Sequence, residues 1–430
     1  MGALGNLGVA RHLLIAGGLL LGVLAYGVAQ NWDTFALMYD NLAAMNEGGQ
    51  VAREMERPED LLGYIANHPR RASLVAYDVG GAEEGMFFRA DVRRPVVNTT
   101  HLLLLAAYAH GREADRLSPD QPVPLDSLDV YALPGAGQDR HERARKYWRT
   151  QGHLQPDSTV ALRHVVDAIA RFGDDTSADW FLSVLERDRV RALPERWGLS
   201  DSGPPLPSSG LSLSWSHHRQ DEPVSSRRER YRAMPRAAFA DHVYRLTRTL
   251  RRDSRFRRNE RERASRRGSG LSIRDQRALA RATYPRGTAA DYANFLARVV
   301  SGELGTSSIS QLVRRRIETP VESDLMRASI EALGTQAGAA PGILSFAGYV
   351  RYASDRPPRV VSLFLEDLPI GLFYHLVQTG LDKGFHLRLL SDPDFFQRVR
   401  ARLSESEVAT NAGDSLGESG VDRLPKSGGP

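Results

Sequence analysis

The chain has no cysteine, so disulfides, thiolate metal sites and cysteine nucleophiles are excluded from the start. Lysine is nearly absent as well: Lys146, Lys383 and Lys426 are the only three of 57 basic residues, and arginine supplies the other 54. Charge of one sign does not dominate either. Basic residues exceed the 52 acidic ones by five over 430 positions, so a local imbalance carries more information than the total. Long hydrophobic runs are missing except for one at the amino terminus. With 41% apolar residues the chain has enough to bury a sizeable core, as one large domain or two smaller ones.

The single long apolar run follows Arg11 and His12. Leu13 to Ala29 contains a Gly-Gly pair, and Gly27 and Ala29 have the small-residue spacing of a signal peptidase site. Its length lies at the lower edge of the roughly 17 to 25 residues that span a bilayer. We read residues 1–30 as a signal peptide or membrane anchor and 31–56 as a helical stalk. The remainder is then extracytoplasmic, anchored or secreted after cleavage, and nucleic acid is not an expected partner.

The rest of the chain is organised around Pro95 to Gly111, PVVNTTHLLLLAAYAHG. Pro95 and Asn98-Thr99-Thr100 carry helix-start signals, since Asn and Thr side chains accept hydrogen bonds from the first unpaired N–H groups. Leu102 to Tyr108 is apolar all round, which suits a helix enclosed on every side. Upstream, Ala72 to Val79 and Gly85 to Ala90 read as strands around a Gly-Gly turn. Downstream, Thr159 to Gly173 is an amphipathic helix with Leu162, Val165, Val166 and Ile169 on one side. Ser345 to Tyr352 and Arg359 to Glu366 form a hairpin of strands, and Pro369 to Leu381 a covering helix.

The frame Pro95-Val96-Val97-Asn98-Thr99-Thr100-His101 resembles the Pro-x-x-Ser-Thr-x-Lys that opens the buried helix of class A β-lactamases and related penicillin-recognising serine hydrolases. The resemblance implies an α+β, β-lactamase/transpeptidase-like fold over residues 57–395: an antiparallel sheet flanked by helices, an all-helical subdomain, and here an N-terminal membrane segment. It also locates the departures. Asn98 stands where the nucleophilic serine belongs and His101 where the lysine belongs. Gly173-Asp174-Asp175 replaces the family's Ser-Asp-Asn. Gln336-Ala337-Gly338 replaces the Lys-Thr-Gly that binds a substrate carboxylate, and only Gly338 survives. The glutamate that activates the deacylating water has no counterpart. Ala282-Thr283-Tyr284-Pro285 resembles the Thr-x-Pro element leading back to the sheet.

Residues 204–280 read as a helical, basic insertion. Arg227 to Arg267 holds sixteen arginines against five acids, and Phe239, Val243, Leu246 and Leu250 fall at helical spacing. We expect an added layer packed through those four residues with its arginines solvated; the competing reading is contact with an anionic membrane surface. Ser216-His217-His218 has no third ligand at metal spacing and reads as plain loop. Residues 404–430 read as a mobile tail. Functionally, loss of nucleophile, cationic base, shuttle hydroxyl and carboxylate clamp points to a hydrolytically inactive binding or scaffold protein of the cell envelope. A cell-wall peptide or β-lactam-like molecule is its expected ligand, and no cofactor is expected. The alternative is a hydrolase with Thr99 or Thr100 as nucleophile, His101 as base and Asp174 or Asp175 orienting it.

Overall fold

A computed structural model of the chain describes residues 40–135, 137–216, 222–267, 270–319 and 329–418. The amino-terminal apolar segment and His217-His218 lie outside them. Among the described residues, no helix is long and apolar enough to cross a membrane.

Six antiparallel strands make one sheet: β1 Ala72–Asp78, β2 Gly81–Phe88, β3 Glu318–Thr319, β4 Ile330–Ala340, β5 Ile343–Tyr352 and β6 Arg359–Leu365, in the order β2-β1-β6-β5-β4-β3. The first and last segments of the domain therefore meet at its centre, with Leu74 opposite Leu363 and Ala76 opposite Val361. Side chains alternate across a strand, and both faces here are apolar. Leu74, Phe346, Val350 and Leu363 enter one core, while Val75, Tyr349, Val360 and Phe364 enter the other.

The second face carries most of the helices. Helix α1, His101–Glu113, is buried from His101 to Ala109, with Leu102 to Leu105 wholly inaccessible. Each such leucine contributes on the order of 2 kcal/mol by leaving water. The threonines do not cap it as expected: the N-cap Thr100 makes no capping bond, and its hydroxyl donates to Val97 O at 2.9 Å. Around α1 stand α2 Gln138–Thr150, α3 Leu162–Phe172 and α4 Asp175–Val184. Leu162, Val165, Val166 and Ile169 are the buried stripe of α3. That helix ends at Gly173, whose φ of +61° is a left-handed cap that L side chains rarely adopt. One residue later Asp174 starts α4 by accepting from Thr176 N at 3.1 Å.

The insertion is helical, including α5 Ser208–Ser216 and α6 Arg236–Arg252. Phe239, Val243 and Leu250 are buried in it and Leu246 is half-buried, packed against Leu213 and Leu250. Its arginines are not uniformly solvated. Arg227 is fully buried, donating to the carbonyls of Trp215 and Glu222, because these helices leave carbonyls that only a long cation reaches. After it, α7 Ala289–Ser301 and α8 Ser307–Ile317 complete the packing around α1. On the opposite face of the sheet lie α9 Ile370–Thr379, α10 Leu381–Ser391 and α11 Pro393–Glu418. The backbone stays helical through Glu418, so much of the stretch read as a tail from residue 404 continues α11.

Candidate functional site

The turn before α1 is anchored from beneath. Arg94, fully buried, donates to Glu366 Oε1 at 2.8 Å, Ser73 Oγ at 2.7 Å and Ala72 O at 2.6 Å. Burial pushes its guanidinium down to about 10, opposed by the Glu366 charge. Arg94 and Pro95 pair with Gly287 and Arg286, and Val96 N donates to Pro285 O at 2.8 Å. The chain then enters a single 3-10 turn, Asn98–Thr100, against β4 and β5.

Asn98 is 2% exposed and uses its amide nitrogen twice, to Asp175 Oδ1 at 2.8 Å and to Gly173 O at 3.2 Å. Its amide oxygen is buried with no hydrogen-bond partner among the described residues. Asp175, at the first turn of α4, is the hub: Arg140 on α2 reaches its Oδ2 at 3.0 Å, and His101 Nε2 lies 3.6 Å from its Oδ1. Burial holds the His101 imidazole below its usual range, with Arg140 acting in the same direction and Asp175 against it.

Sheet-side contacts fill the space beside Asn98. Gln336 Nε2 donates to Asn98 O at 3.4 Å. A Cβ on Gly338 would lie 2.3 Å from Asn98 N, so the room this glycine leaves is occupied by the chain itself. Ala337 points away and is exposed. Of the three residues read as substrate pocket, two thus brace the Asn98 backbone and the third is elsewhere. Thr99 donates to Ser345 Oγ at 2.7 Å, towards the sheet. Neither threonine hydroxyl bonds His101.

Asp174 faces the other way. It is fully buried and binds His141 Nδ1 at 2.9 Å, while His141 Nε2 meets Asp129 Oδ1 at 3.1 Å. Burial opposes a charged imidazole, but the hydrogen bonds to Asp129 and Asp174 outweigh it and raise His141 to about 9. Asp174 is thus the cap that positions Asp175.

On its open side the site is covered by the insertion. Pro205, Leu206, Ser208 and Leu211 close over Asn98, His101, Arg140 and Asp175 and leave about 30 Å³, room for about one or two waters. Asp179 fastens this cover, accepting from Ser208 N at 2.7 Å and Ser209 N at 2.8 Å at the start of α5. Burial pushes its carboxyl up to about 7 against the pull of those N–H groups. Arg140, Asp179 and the cover were not read from the sequence: Arg140 is one of several arginines on a charged helix, and the Asp179 contact spans about thirty positions. His141 carried a signal, since it shares the buried stripe of α2 with Ala144 and Trp148.

Chemically, the site holds an amide with no nucleophilic lone pair, a buried imidazole and a carboxylate paired with Arg140. Among the described residues no group of three or more His, Asp or Glu is arranged to hold a metal ion. The sheet order, the enclosed α1 and the three motif positions brought to Asn98 define a penicillin-recognising serine hydrolase type of domain. Residues 56–369 match the Beta-lactamase enzyme family, and the chain belongs to that family. Solved structures similar to it include a β-lactamase from Sphaerobacter thermophilus, 13% identical, covering 76% of this chain and 94% of that one, TM-score 0.44. They also include an ancestral Gram-negative class A β-lactamase, 14% identical, covering 77% and 99%, TM-score 0.43. PBP-A as an acyl-enzyme with penicillin G is 11% identical, covering 76% and 96%, TM-score 0.43. No curated protein sequence matches the chain.

Proposed function

We propose that this β-lactamase-family domain is hydrolytically inactive and acts as a binding or scaffold protein of the cell envelope. It is exported and tethered, or released, through the apolar segment before residue 30. The observation carrying this reading is Asn98, whose amide is bonded to Asp175 and Gly173 O beneath a cover that leaves about 30 Å³. An acyl-enzyme needs a nucleophile and space for the acyl group; neither is available at this turn. Relatives bind penicillin G and relebactam, so a β-lactam-like or cell-wall peptide ligand remains the chemistry to test. The alternative hydrolase draws no support from the threonines, whose hydroxyls are committed to Ser345 and Val97 O.

A turnover assay with a chromogenic cephalosporin tests the reading, with no rate above buffer expected from the full-length protein. Turnover that disappears in Thr99→Val or Thr100→Val would refute it. A reporter fused after Pro430 tests location, and activity of a cytoplasm-only reporter there would refute export.

A further inference from the structure

A second cavity, about 490 Å³, lies between residues 202–206, the start of α6 and residues 283–286. That is within the range of small-molecule sites. Its walls are apolar, with Leu206, Phe239 and Tyr244 among them, and five arginines line it: Arg93, Arg187, Arg191, Arg236 and Arg286. No aspartate or glutamate does.

The five are not equivalent. Arg187 pairs with Asp241, Arg191 with Asp188 at 3.7 Å, and Arg286 with Glu366 at 3.3 Å. Glu366 is already shared with Arg94 and Arg281. Arg93 and Arg236 pair with no carboxylate among the described residues. Arg236 donates instead to Ala282 O at 2.9 Å, and Arg286 is fixed beside Arg93 by two bonds to the Arg93 carbonyl, at 2.9 and 2.6 Å. Arg93, Arg236 and Arg286 thus line one apolar chamber, and among the described residues Glu366, paired with Arg286, is the one carboxylate any of the three meets; such a lining can bind an anionic group through charge-assisted hydrogen bonds.

We propose that this cavity binds a single-chain anionic amphiphile, its phosphate or carboxylate head held by Arg93, Arg236 and Arg286 and its alkyl chain against Leu206, Phe239 and Tyr244. A bare anion would leave the apolar walls unused, and a neutral lipid would leave the arginines unused. The bilayer surface fits less well. Shallow insertion needs exposed apolar side chains, and among the described residues the large exposed apolar ones, Leu42, Met45, Phe87, Val184 and Val377, all lie outside the insertion. The site is separate from the turn at Asn98, although Pro205, Leu206, Tyr284 and Pro285 line both cavities. The proposal holds whether or not the Asn98 site is inactive.

The test is isothermal titration of the full-length protein with decyl phosphate below its micellar concentration, beside inorganic phosphate and decyl glucoside. Saturable one-to-one binding of decyl phosphate is expected. Loss of two charge-assisted bonds in Arg93→Ala/Arg236→Ala should weaken it roughly tenfold or more. Ala240→Trp, which fills the chamber, should weaken it similarly while leaving both arginines in place. Because Arg93 and Arg236 are exposed, the double variant should fold, and it decides the matter if Ala240→Trp does not. No saturable binding, or affinity unchanged in the double arginine variant, overturns the proposal. So does inorganic phosphate or decyl glucoside binding as tightly as decyl phosphate.

Discussion

Replacing His141 by Gln should remove a pH-dependent share of the stability without touching the candidate site directly. His141 sits with 3% of its side chain exposed between Asp174 and Asp129, and Arg145 reaches Asp129 at 3.0 Å from the other side. Its folded pKa of about 9 lies above the ordinary histidine value of 6.5. A raised cationic pKa means that the stabilisation is complete below about pH 6.5 and is lost as pH rises through about 9. The difference is worth on the order of 3 kcal/mol. Glutamine can hydrogen-bond Asp174 but cannot carry the charge, so the variant lacks this dependence. Urea unfolding of both proteins at pH 6.5 and 9.5 measures it. Asp179, raised by burial to about 7, also loses stability with rising pH, but equally in both proteins, and cancels in the comparison. A wild-type loss between those pH values that matches the variant's would refute the charged-imidazole account and, with it, the view that Asp174 caps α4 as a paired carboxylate.

Other perturbations follow from the same geometry. Gly338→Ala places a Cβ 2.3 Å from Asn98 N and 2.8 Å from Val97 Cβ, and should destabilise by about 1–3 kcal/mol as overpacking does, read as a lowered melting temperature; an unchanged melt would mean that the turn at Asn98 is not seated on β4. Glu366→Ala leaves Arg94 buried without its charge partner and should cost on the order of 3 kcal/mol. A cost indistinguishable from zero in chemical denaturation would contradict the anchoring role given to that pair. Asn98→Ser/His101→Lys restores nucleophile and cation but not space, so acylation by penicillin G should remain at most slow over hours. Rapid acylation of that variant would show that the cover formed by Pro205, Leu206 and Leu211 opens readily.

Much of the fold was legible because its signals are local. The short apolar runs of Ala72–Asp78 and Arg359–Leu365, bounded by turn residues, and the period-3.6 stripe of α3 are local patterns, and the order of motifs located the turn at Asn98. What the sequence did not reveal depends on distant pairs. Nothing near Asp179 announces that it will hold Ser208 and Ser209, and nothing near Pro204-Pro205-Leu206 says that this loop turns inward over His101. The threonines illustrate the reverse error. Their local propensity favours capping, yet the packing of the turn against β5 gives Thr99 to Ser345 and leaves Thr100 to bond Val97 O. Arg227 failed expectation for a similar reason: composition marks an arginine-rich stretch as solvated, whereas the packing of neighbouring helices buries one of them.

We propose that the family site persists in this chain in a chemically disarmed and closed form. Intact-mass analysis of the full-length native protein after prolonged incubation with penicillin G tests it most directly, with peptide mapping of any product. The account predicts the unmodified mass alone. A stoichiometric increase equal to the added penicillin, mapped to Thr99, Thr100 or any other hydroxyl around Asn98, would contradict it.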